Sequence, residues 1–177
     1  MSLPADVREL VRQRAQGACE FCGVTEADTG GELTIDHFQP RARGGTNTPE
    51  NLLYCCYRCN QYKADYWPTQ PEDPHLWQPR HEPIEQHVLL LADGTLYPIT
   101  AVGAFTLRRL RLNRPPLVAY RLRKQGDMAE HRLLARYHDL IVVLEHLHQQ
   151  QAALLEEQQA LLEEQRRLVQ LLLRQRN

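Results

Sequence analysis

Two C-x-x-C pairs, Cys19-Glu-Phe-Cys22 and Cys56-Tyr-Arg-Cys59, constrain this chain more than any other feature. A two-residue gap turns the backbone so that both sulfurs of a pair face one point, and two such pairs supply four thiolates in a tetrahedron around Zn²⁺. The fifth cysteine, Cys55, fits neither spacing and reads as a small core residue. An odd cysteine count clustered in one third of the chain is not the pattern of a disulfide framework and points to a reducing, cytoplasmic setting. Free or redox-active thiols are the other reading of the same residues. A zinc bound by four thiolates keeps no open coordination position, so it staples the fold and chemistry must come from other groups.

Between the pairs, 33 residues carry those other groups. Leu33-Thr34-Ile35 reads as a strand that delivers Asp36 and His37 at its end. Gly44-Gly45 and Pro49 punctuate a loop, with Thr48 as N-cap of a turn at 49–52, and a helix starts from Asn60 directly after the second pair. A carboxylate, an imidazole and a carboxamide then meet near one place. Oxygen donors suit Mg²⁺, and a neutral histidine beside such an ion can deprotonate water. Read singly, Asp36 and Asn60 are turn caps and His37 a surface residue; their joint spacing from the two pairs favours the chemical reading.

These residues resemble the HNH endonucleases with their ββα-metal fold. The resemblance runs through the first pair, Asp36-His37, Gly44-Gly45, Glu50-Asn51-Leu52, the second pair, Asn60 and Lys63, covering residues 18–66. It implies His37 as general base, Asp36 and Asn60 as ligands of a catalytic Mg²⁺ or Mn²⁺, and Asn51 as the residue that orients the His37 loop. Asn60 stands where many members have a histidine and keeps an oxygen ligand. Softer similarity to small bacterial HNH proteins continues through 75–80, Asp93-Gly94 and 110–115.

The fold class expected is α+β: a small zinc-stapled ββα-metal core with a helical C-terminal extension forming a coiled coil. Three blocks are expected, 1–67 as nuclease core, 68–126 as proline-rich strap, hairpin and basic helical segment, and 127–177 as a long helix. Five prolines between 68 and 86 exclude regular helix there. A hairpin follows at 87–99 around Asp93-Gly94, then a helix over 105–112 that ends before Pro115-Pro116. From Asp127 almost to the end the chain has neither Gly nor Pro, and Leu133, Tyr137, Leu140, Leu144, Leu147, Leu154, Leu161, Leu168 and Leu172 recur at helical spacing. The repeat ALLEEQQ (153–159), ALLEEQR (160–166) is a heptad. Such a helix, roughly 45–50 residues and about 70 Å long, needs a partner, most simply a second copy. A solvated rod is the alternative. Gln151, Gln158 and Gln165 fall at the alternate seam positions.

The formal charge of −1 argues against a chain that is basic throughout, but the charge is unevenly spread. From Gly94 to Gln125 there is no acid and there are seven basic residues (Arg108, Arg109, Arg111, Arg114, Arg121, Arg123 and Lys124), a local +7. The remainder, with 14 basic and 22 acidic residues, carries −8. That strip, extended by Arg41, Arg43 and Lys63, reads as a phosphate-binding surface for DNA with little base readout, or else as a solvated face paired with acids elsewhere. No apolar run is long enough for a membrane span, and the first ten residues carry no apolar signal region. The function expected is a metal-dependent DNA endonuclease of low sequence specificity. The alternatives are a non-catalytic zinc module that binds nucleic acid, and an effector subunit switched on by a partner protein through its coiled coil.

Overall fold

The computed structural model describes residues 3–175, with side chains through Gln170; the Leu172 position of the predicted stripe lies outside the described side chains. Helix α1, Ala5–Arg14, has Asp6 in its first turn and Arg12 and Arg14 in its last, charges that complement the helix dipole at both ends. Its Val11 is fully buried. The short helix α2, Glu26–Thr29, is set by a reciprocal cap between Thr25 and Asp28. Strands β1, Thr34–His37, and β2, Leu52–Cys55, pair antiparallel, with Thr34 opposite Cys55 and His37 opposite Leu52. Helix α3, Tyr57–Lys63, follows β2 after one residue, Cys56, whose sulfur accepts the Cys59 N–H. The ββα order expected from the sequence is therefore present, and the observed strand includes Asp36 and His37.

Every residue of β2 is buried, whereas β1 is half-buried throughout, so β2 forms the floor of the core. α1 covers β2 from one side. The strap after α3 joins the same core: Leu76 and Trp77 are buried, Trp77 meets Phe21 edge-on at 6.4 Å, and its backbone N–H donates to Thr106 Oγ1. Strands β3, Val88–Leu90, and β4, Leu96–Pro98, form the second hairpin. Helix α4, Ala101–Arg109, starts from Thr100, whose hydroxyl accepts the Gly103 N–H, four residues earlier than the sequence suggested. One hydrophobic cluster runs from Val11 through Leu52 and Leu76 to Leu117, so the stretches before and after residue 67 share a core.

Helix α5 runs Pro115–Gln175. The proline pair that was expected only to end a helix instead opens one, because a first-turn proline lacks an N–H that would have no partner there anyway. Gly126 lies within the helix, at the boundary between two compact units, residues up to Gln125 and residues from Gly126 onward. Over the second unit the apolar stripe is exposed: Leu133, Leu140, Leu147, Leu154, Leu161 and Leu168 each retain half or more of their surface. Among the described residues no helix is long and apolar enough to cross a membrane.

A four-cysteine cluster and the Asp36–His37 strand end

The first cysteine pair turns through Gly23, at φ +77°, and the turn is closed by Gly23 N–H on the Cys19 carbonyl at 2.7 Å. It is tied to β2 twice: Glu20 N–H donates to the Tyr54 carbonyl at 2.9 Å, and the Glu20 carboxylate accepts the Tyr54 N–H at 2.7 Å. The same buried carboxylate pairs with Arg80 of the strap and lies 3.6 Å from Arg14. Arg14 in turn donates to the carbonyls of Pro49 and Leu52. Arginine in the last turn of a helix gave no sign of this role in the sequence.

The sulfurs of Cys19, Cys22, Cys56 and Cys59 all lie within 4.8 Å of one another, with Cys22 and Cys56 at 3.7 Å. Zinc–sulfur bonds of about 2.3 Å in a tetrahedron require sulfur–sulfur edges of about 3.8 Å, so the donor set fits zinc. Hydrogen bonds among the sulfurs push Cys19 and Cys56 down and Cys22 and Cys59 up, the sharing of protons expected of four thiols where a dication would take four thiolates. Cys55 stands apart. Its burial pushes the thiol up, and its sulfur faces Thr34 Oγ1 at 3.8 Å, in keeping with a neutral core residue.

The three groups proposed for chemistry have separate partners. Asp36 Oδ2 lies 2.9 Å from Lys63 Nζ, an ion pair whose lysine is fully buried. Lys63 also donates to the carbonyls of His37, at 2.7 Å, and Ala64, at 3.3 Å. Ala64 holds φ +51° and ψ −142°, a sparsely populated conformation that costs an L-residue roughly 1–3 kcal/mol. Asn60, one turn before Lys63 on α3, donates to Thr34 Oγ1 at 3.4 Å, two residues before Asp36 on β1. Thr34 and Asp36 share a face of the strand, so Asp36 and Asn60 both belong to the β1–α3 interface. The pair offers a carboxylate and a carboxamide oxygen, a donor set that suits a hard cation with water in its remaining positions. His37 belongs to another neighbourhood: its Nε2 meets Asn47 Oδ1 at 2.8 Å. With the amide oxygen toward the ring, Nε2 carries the proton and Nδ1 is the basic nitrogen. Asn47 was not singled out in the sequence; an Asn after Gly-Gly-Thr reads as an ordinary turn residue.

Asn51 ties this loop shut. Its Oδ1 accepts the Gln39 N–H at 2.8 Å, and its Nδ2 donates to the carbonyls of Gln39 and Thr46. Thr48 makes no side-chain cap to the turn at Pro49 and meets Thr46 Oγ1 instead. Gly45 passes so close to the Gln39 carbonyl that a Cβ there would overlap it, and the same atom would lie 2.9 Å from Asn51 Nδ2. Gly45→Ala is therefore expected to lower stability by about 1–3 kcal/mol by overpacking. Gly44→Ala, at φ +83° but without backbone atoms in the way, costs about 1 kcal/mol. Urea titrations of the two variants check the order.

The basic residues divide. Arg41, Arg43, Arg108, Arg111 and Arg123 are exposed, with Arg111 stacked over Tyr62. Lys63 requires a correction: it is internal, and its ammonium is taken by Asp36 and two carbonyls, so it presents nothing to a phosphate at the surface. Three arginines also spend donors on backbone carbonyls. Arg109 bonds the Lys63 carbonyl and lies over Tyr66, Arg121 bonds those of Gly94 and Leu112, and Arg114 bonds those of Leu110 and Arg111 and reaches within 4.0 Å of Cys59 Sγ.

Residues 19–65 match the family model described as HNH endonuclease, which identifies an HNH domain in this segment and supports a nuclease-type function. A 54-residue stretch is 44% identical to the CRISPR-associated endonuclease Cas9 of Corynebacterium diphtheriae. That stretch is 30% of this chain and 5% of the relative, so the likeness concerns a small part of a much larger protein. No solved structure matches the chain.

Proposed function

We propose that this chain is a metal-dependent endonuclease that hydrolyses DNA phosphodiester bonds with low sequence specificity. The observation that carries the reading is the convergence, within the HNH-matching segment, of a zinc-type cysteine cluster with a strand ending in Asp36-His37 and a helix bearing Asn60. Zinc on Cys19, Cys22, Cys56 and Cys59 is structural. Asp36 and Asn60 would hold Mg²⁺ or Mn²⁺, which when bound offsets charge at the scissile phosphate and leaving oxygen.

The protein's own groups do the rest. Asn47 on Nε2 leaves His37 Nδ1 free to accept a proton from water. Asn51 fixes the loop on which Asn47 and Gly45 sit. Lys63 holds the Asp36 carboxylate and, through its bond to the His37 carbonyl, the adjoining peptide. DNA is met through exposed Arg41, Arg43, Arg108, Arg111 and Arg123, all suited to phosphate rather than base edges. The helix from Gly126 onward associates with other copies, which would bring two nicking centres onto one duplex.

Plasmid nicking with Mg²⁺ or Mn²⁺ tests this reading. Replacing a general base slows the step by roughly 10²–10⁴-fold, so His37→Ala is expected to lose nicking on that scale while still binding zinc. Equal activity in the two proteins overturns the assignment of His37. Absence of nicking in both, with zinc and DNA binding intact, favours a non-catalytic module or an effector that requires a partner.

A further inference from the structure

The unit from Gly126 onward carries an apolar face wider than a pair of helices needs. One row, Leu133, Leu140, Leu147, Leu154, Leu161 and Leu168, repeats every seven residues, and each member is at least half exposed. A second row stands one residue on: Leu134, Ile141, Leu155, Leu162 and Val169, again each more than half exposed. Successive residues of an α-helix are about 100° apart, so the two rows bound an arc of about that width. Between them lies Tyr137, Leu144, Gln151, Gln158 and Gln165, apolar at its start and amide-bearing afterwards.

A two-stranded coil buries two adjacent rows of the heptad and places charged residues on the flanks, where they pair between strands. Here the first row and the central row would fill such a seam, and the second row would be its flank. That flank holds no charged side chain between 134 and 169; His148 is its single polar member. Pairing two helices leaves five large aliphatic side chains in water, and the charges of the opposite flank, Arg136, Glu157 and Glu164, find no opposite charge on the second row. Two aliphatic rows on either side of a row that is apolar at Tyr137 and Leu144 and carboxamide-bearing beyond make a face broader than a two-helix seam, the breadth of a helix that faces the core of a bundle. Every charged residue between 133 and 169 lies outside the three rows.

The partner is also written into the pattern. The direct repeat ALLEEQQ, ALLEEQR makes successive layers equivalent, so copies of the chain can match leucine to leucine and glutamine to glutamine. A carboxamide is both donor and acceptor, hence complementary to itself, and buried glutamine rows are satisfied when the neighbouring helix brings its own. We infer that residues 133–169 assemble three or more copies of this chain into a helical bundle, with the glutamine row toward its axis. This goes further than self-association in general, on which it rests.

Sedimentation equilibrium of the full chain at micromolar concentration separates the outcomes. The mass expected is at least three times the 20.6 kDa of one chain. A triple variant in the second row, Leu134→Gln, Leu155→Gln and Leu162→Gln, keeps good helix formers throughout and is expected to fall to a dimer or monomer. A wild-type dimer overturns the inference and leaves self-association standing. A wild-type monomer overturns both, and so points to a different protein as the helix's partner. A triple variant that retains the wild-type mass also overturns the inference, because the width of the face would then have no effect on assembly.

Discussion

Stripping the metal with a strong chelator is expected to abolish the cooperative unfolding transition of the first unit. Three of the four sulfur-bearing residues are almost fully buried, Cys19 at 2%, Cys56 at 5% and Cys59 at 0% exposure. They connect the turn before β1 to the start of α3, and with them the strand end at Asp36-His37. Structural zinc sites supply about 10–16 kcal/mol of apparent binding free energy at neutral pH, more than the whole stability of an ordinary domain. Both tryptophans, Trp67 and Trp77, belong to this unit, so their fluorescence reports its state directly. The expected record is one zinc per chain by elemental analysis, a sharp urea transition with metal, and a broad drift without it. Cys59→Ala should behave like the chelated protein. Cys55→Ala, which removes a core sulfur outside the cluster, should keep the zinc and the sharp transition. A chelated protein that still unfolds sharply at the same urea concentration would show that the four thiols do not hold the fold through a metal.

The second large effect is expected at Lys63. Its side chain has no exposed surface, and its ammonium is the counter-charge of an Asp36 carboxylate whose side chain is 19% exposed. Removing one partner of a buried ion pair leaves the other uncompensated, at a cost of about 3–5 kcal/mol. The residual exposure of Asp36 places Lys63→Met near the lower end. Two carbonyls, of His37 and Ala64, lose their donor as well. Lys63→Met is therefore expected to lower stability by about 3 kcal/mol. The double variant Lys63→Met with Asp36→Asn should recover much of that loss, because it removes the stranded charge. A double-mutant cycle in urea measures the coupling, and additive losses within about 0.5 kcal/mol would mean that the two side chains do not act together. A lysine that served only to touch DNA would leave stability unchanged and alter the salt dependence of binding instead.

The four cysteines and Lys63 differ in how legible they are in the sequence. The cysteine cluster follows from spacing alone. A C-x-x-C turn is local, and two of them brought together offer four sulfurs that can surround one ion. The strand before Asp36, the hairpin at Asp93-Gly94 and the long helix are likewise set by short-range patterning and turn chemistry. Lys63 was misread because a lysine after a helical turn is almost always solvated, and only the packing of α3 on β1 turns it inward. The same holds for Arg109, Arg114 and Arg121. Their charge is visible in the sequence, but which carbonyls they reach depends on how α4, the start of α5 and the second hairpin come together.

The sequence by itself determined the set of four clustered cysteines, the strand that ends in Asp36 and His37, the placement of Asn60 after the second cysteine pair, and a long helix with an uncovered apolar face. Each depends on residue spacing within a turn, a strand or a helix, where covalent geometry fixes the outcome. Only the tertiary structure decided that Asp36 is held by an internal lysine, that Asn47 and not Asp36 faces the His37 ring, and that the strap beyond residue 67 shares the core of the domain before it. Those outcomes depend on desolvation and on which backbone groups remain unpaired once elements pack, and neither quantity exists until distant segments meet.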